Sequence, residues 1–74
     1  MAVYRLLQNS AFGPEDVTRI CIAYERALTL LDLEDNDPLT EEIAKLIIEE
    51  ARTDVKDPEM ICALALRELK LRSG

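Results

Sequence analysis

Residues 37–51, DPLTEEIAKLIIEEA, can hardly form anything but a helix, and the rest of the chain is arranged around that fact. Asp37 is placed to accept from free N–H groups at the helix start, and Pro38 takes the first helical position, where its missing donor costs nothing. Glu41 and Glu42 then suit the positive end of the helix dipole. Apolar residues follow at three- and four-residue steps: Leu39, Ile43, Leu46, Ile47 and Ala51 form an inward stripe that Ala44 and Ile48 widen. Glu41, Lys45 and Glu49 line the opposite side. Glu50 interrupts the pattern from the edge of the apolar face.

The same opening recurs at Asp57-Pro58-Glu59, and Gly13-Pro14 starts an earlier helix with Glu15 and Asp16 in its first turn. Phe12 and Val17 have the spacing of a hydrophobic staple across that start. Val17, Ile20, Cys21, Tyr24, Ala27, Leu28 and Leu31 then form a stripe, while Ile22 and Leu33 project from the other side. The spacing therefore predicts helices over about 14–33, 38–52 and 58–71, joined by polar links, the first short enough to make the first two helices roughly antiparallel neighbours. The residues after the two Asp-Pro openings do not align, so no 20-residue repeat is read from them. Residues 1–12 lack a clear period yet contain Val3, Tyr4, Leu6 and Leu7, and are expected to pack across the bundle as a short N-terminal segment. The fold class expected is all-α: a single domain, a small three-helix bundle of 74 residues with a thin core.

The last helix has more apolar residues than one side can use. Ile61, Cys62, Ala65, Leu66 and Leu69 form its inward stripe, and Met60, Leu64 and Leu71 form a second, with Arg67 beside it. Either one of these side chains covers the N-terminal segment or the last turn simply frays, or the whole line is a contact surface for a second copy or a groove-binding partner. The second use is favoured here, with Leu64 and Leu71 as anchors, Met60 adapting its shape and Arg67 setting orientation.

Chemistry is sparsely supplied. The chain has no His, and neither of its two glycines belongs to a phosphate-binding loop, so no catalytic residue, metal ligand or cofactor is assigned. The acidic run Asp32, Glu34, Asp35 and Asp37 fails as a calcium loop: counted from Asp32, the places for glycine and the final glutamate hold Asp37 and Ile43. It reads as a solvated link, although Asp32 and Glu34 lie at the negative end of the first helix, where a basic partner or a second subunit would relieve them. Glu50 and Glu68 either reach out to water or pair with Arg19, Arg26 or Arg67. Cys21 and Cys62 lack the paired spacing of a zinc or redox motif and read as reduced, buried hydrophobes. A net charge of −6 argues against nucleic acid or an anionic membrane as partner. No apolar run is long enough for a membrane span and residues 1–8 do not form a signal peptide, so a cytoplasmic location is expected.

Several segments carry a resemblance. FGPEDV from Phe12, AYERAL from Ala23, the stretch 37–51 and DPEMICALAL from Asp57 resemble a family of short all-helical proteins and domains found mainly in alpha-proteobacteria. The resemblance spans about residues 12–69 and implies a helical fold and a bacterial cytoplasmic setting. That family has no assigned activity and supplies no catalytic residues. The expected function is therefore a non-enzymatic interaction or regulatory module, dimerising through its last helix. A monomeric accessory domain of a larger complex and an acidic mimic for a basic groove are the alternatives.

Overall fold

A computed structural model describes Leu7 and residues 12–73 of the chain. Three helices build the bundle: α1 over Pro14–Leu31, α2 over Leu39–Ala51 and α3 over Pro58–Ser73; Leu7 is also helical, and there is no strand among the described residues. The all-α three-helix bundle expected from the spacing is what forms. Each helix packs on both others. Arg26 of α1 reaches Glu59 at the start of α3, and the ends of α1 and α3 share a groove, so these two helices run side by side in one direction.

Local chemistry sets the helix starts. The Asp37 carboxylate accepts from the Leu39 N–H at 2.9 Å, and Asp57 accepts from Glu59 N–H at 3.0 Å, the capping role that each Asp-Pro pair predicts. Pro38 has helical backbone angles, φ −55° and ψ −29°, so it is the first residue of the α2 spiral in all but hydrogen bonding. Gly13 precedes α1 in an extended conformation without a side-chain cap, and its carbonyl accepts from Val17 N–H at 3.0 Å.

The core is built from Ile20, Ala23, Tyr24, Ala27 and Leu28 of α1, Ile43, Ala44, Leu46, Ile47, Ile48 and Ala51 of α2, and Ile61, Cys62 and Ala65 of α3. Full burial of an Ile or Leu is worth about 1.5–3 kcal/mol, so the four large aliphatic residues of α2 are its main anchor. Leu7 and Phe12 pack against this core, partly buried. The expected placement of the rest of the N-terminal segment lies outside the described residues.

Several expectations need correction. In α2, Leu39 faces outward and Thr40 takes the buried place, because its hydroxyl donates to the Asp37 carbonyl at 2.7 Å and the Asp35 carbonyl at 3.4 Å. The first helix ends at Leu31, two residues short of the expected 33. Asp32 turns into the left-handed region at φ 54°, Leu33 N–H donates to the Leu28 carbonyl at 2.9 Å, and Asp32 N–H donates to the Thr29 carbonyl at 3.2 Å. These are the two bonds of a Schellman stop. They fold Leu33 back onto the core, which is why it does not project outward as its helical position implies. Conversely Leu31, assigned to the inward stripe, is exposed.

Candidate interaction surface

The C-terminal half of α3 lies beside the last turn of α1 without closing against it. Between them runs an open groove of about 590 Å³, with Leu30 and Leu31 on one wall and Leu66, Arg67, Lys70 and Leu71 on the other. Leu30 is 64% exposed, Leu31 39% and Leu71 67%, so the apolar lining is largely uncovered. Three exposed leucines in one concavity are a contiguous apolar patch, and such patches mark contact sites.

Of the four residues singled out on the last helix, Arg67 and Leu71 line this groove and are exposed. Met60 is 50% exposed at the other end of the same helical line, and Leu64 between them is partly buried; neither lines the groove. Leu30 and Leu31 are the lining residues that sequence reasoning missed. Their signal was the run LTLLDL, which holds more leucines than one helix face places in a core.

The charged side chains that line the groove are all basic. No basic residue stands in the last turn of α1, and Asp32 and Glu34 follow it, at the negative end of its dipole. Across the groove, α3 carries Arg67 and Lys70. Among the described residues no ion pair involves Asp32, Glu34, Arg67 or Lys70. Elsewhere arginines are satisfied within the chain: Arg19 by Asp16 at 3.0 Å, Arg26 by Glu59 at 2.7 Å, and Arg72 by Glu42 at 3.3 Å. Glu50 and Glu68 are half-buried and take none of these arginines, so the pairing alternative considered for them is not realised with Arg19, Arg26 or Arg67.

Other features offer less. A second concavity of about 550 Å³ at the start of α1 is lined by Glu15, Asp16, Arg19 and Lys56, whose charges largely neutralise one another. Cys62 is buried, and Cys21 is half-buried; both are free thiols. Burial pushes the Cys62 thiol up, the Arg26 guanidinium lowers it in part, and the Glu59 carboxylate adds to the rise. Such a thiol stays protonated and unreactive at neutral pH. Among the described residues no cluster of His, Cys, Asp or Glu is arranged to hold a metal ion, and no helix is long and apolar enough to cross a membrane.

Fold and surface together define a small helical bundle with an open apolar groove, a class that does not specify an activity. No family model matches the chain, and no solved structure matches it. It is similar to the B subunits of the aspartyl/glutamyl-tRNA(Asn/Gln) amidotransferases of Caldicellulosiruptor bescii and Caldicellulosiruptor saccharolyticus, 34% identical over 59 residues in each case. The aligned region is 80% of this chain but 12% of either relative, so the chain spans about an eighth of their length.

Proposed function

We propose that the chain is a non-enzymatic interaction module that self-associates through its last helix, with Leu71 as an anchor and Arg67 setting orientation. The single observation that supports this is the uncovered leucine-lined groove between the end of α1 and the second half of α3. A chain this small buries a thin core, and covering a residual apolar surface with a second copy adds stabilisation that one copy lacks. The test is solution mass against concentration for the wild type and for Leu71→Asp. Leu71 is exposed, so the substitution spares the fold, and the expected result is loss of association with unchanged helicity. A wild type with the mass of one chain at every concentration would remove the reading.

The alternative of an accessory helical unit has its own support in the similarity to a segment of an amidotransferase. On that reading the chain docks as a monomer onto a larger assembly. It predicts single-chain mass throughout, together with co-elution with an amidotransferase from the same cell.

A further inference from the structure

The charged side chains of the groove narrow what fits it. We propose that it takes an acidic amphipathic helix of another protein, one whose apolar stripe covers the leucines and whose carboxylates meet Arg67 and Lys70. The inference goes beyond self-association and does not depend on it; the two uses compete for the same leucines.

Acidic side chains outnumber basic ones in the chain by 15 to 9, yet the charged residues that line the groove are Arg67 and Lys70. Both are exposed, and among the described residues neither makes an ion pair or a side-chain hydrogen bond. Arg19, Arg26 and Arg72 behave differently, each meeting a carboxylate of its own chain. The groove thus presents cations that the bundle's own carboxylates leave free, beside leucines that its own core leaves uncovered. A two-fold contact brings a patch against itself, so a second copy seated there covers the leucines but sets cations towards cations. An acidic helix covers the leucines and pairs the cations as well. The walls are two helices lying side by side, and no strand among the described residues offers an edge to an extended peptide, so a helix in the groove is the mode of contact that this surface supports. Arg67 and Lys70 share one face of α3, and carboxylates three or four residues apart on a partner helix match their spacing. Exposed pairs of this kind select a partner more than they tighten its grip.

Fluorescence anisotropy of labelled synthetic helical peptides of about 15 residues tests this. One peptide carries leucines at three- and four-residue steps flanked by glutamates; its counterpart has glutamine for every glutamate. Each is titrated with wild type, Leu71→Asp, Arg67→Glu/Lys70→Glu and Arg52→Glu/Lys56→Glu. The last makes the same change in net charge away from the groove, Lys56 standing beside the start of α1. Circular dichroism establishes that each chain is folded. The glutamate peptide is expected to bind the wild type about threefold or more tightly than the glutamine peptide does, against the net charge of −6. Its affinity should fall about tenfold or more with Leu71→Asp and with Arg67→Glu/Lys70→Glu, and clearly less with Arg52→Glu/Lys56→Glu. No binding of the glutamate peptide, equal binding of the two peptides, or equal losses in the two double variants overturns the inference. If the glutamate peptide fails while the wild type dimerises through Leu71, the groove belongs to a second copy and this inference alone falls. If the peptide binds as expected and the wild type is monomeric at every concentration, the self-association reading alone falls.

Discussion

Tyr24 lies at the centre of α1, fully buried, and its hydroxyl has no hydrogen-bond partner among the described residues. A buried hydroxyl without a partner loses its bonds to water and gains nothing in return, at about 1–3 kcal/mol. Tyr24→Phe removes that oxygen and keeps the ring that fills the core. The void left is smaller than a methyl group, so at about 24 cal/mol per Å³ it gives back only a few tenths of a kcal/mol. The net expectation is a gain of about 1 kcal/mol, which for a domain of this size raises the melting temperature by about 4–8 °C. Urea unfolding followed by helical ellipticity measures it, with an unchanged m-value showing that the native and unfolded ensembles are otherwise alike. The reasoning is refuted if Tyr24→Phe loses stability by about 1 kcal/mol, the usual effect of deleting one member of a made hydrogen bond.

Asp32→Gly should stabilise the monomer by about 0.5–1 kcal/mol, since Gly relieves the left-handed backbone and removes a negative charge from the carboxyl end of α1; the urea midpoint at high dilution reads it. Ile47→Asp should unfold the chain, because it places an unpaired carboxylate where no solvent reaches, and far-ultraviolet dichroism would show the helical signal lost. Cys62 should make stability fall above about pH 9.0, the ordinary thiol value. Below that pH both folded and unfolded chains hold the proton and stability is flat; above it the unfolded chain releases its proton first, until the raised folded value is reached. Unfolding at about pH 8 and about pH 10, with Cys62→Ala as the control lacking this slope, tests the sign.

What could be read from the sequence was what short-range chemistry decides. The Asp-Pro openings predicted helix starts because the carboxylate bonds an N–H two residues away, whatever the rest of the fold does. The α2 stripe was legible for the same reason from Ile43 onward. Its first turn was not: whether Leu39 or Thr40 faces inward depends on the path of the preceding link, whose carbonyls capture the Thr40 hydroxyl. The end of α1 was missed by two residues because the left-handed stop is made by an Asp, where glycine would have announced it. The groove was half legible. Surplus apolar residues on the last helix were countable, and Arg67 and Leu71 do line it; Leu30 and Leu31 were not found, since only the packing of α1 beside α3 shows which leucines remain uncovered.

The size of that surface limits how strongly it can act. Leu30, Leu31 and Leu71 are each only partly exposed, so burying them yields roughly half of the ~1.5–3 kcal/mol that a fully exposed leucine gains. Six such side chains in a symmetric pair supply roughly 5–10 kcal/mol in gross terms. Association itself costs at least about 4 kcal/mol in lost translation and rotation. The remainder is at most about 6 kcal/mol, short of the ~8 kcal/mol of a micromolar complex. A contact confined to these leucines is therefore reversible and dilution-sensitive. A nanomolar dimer would require further apolar surface to be covered, and Met60 and Ile22, both about half exposed, are what the bundle has left to offer.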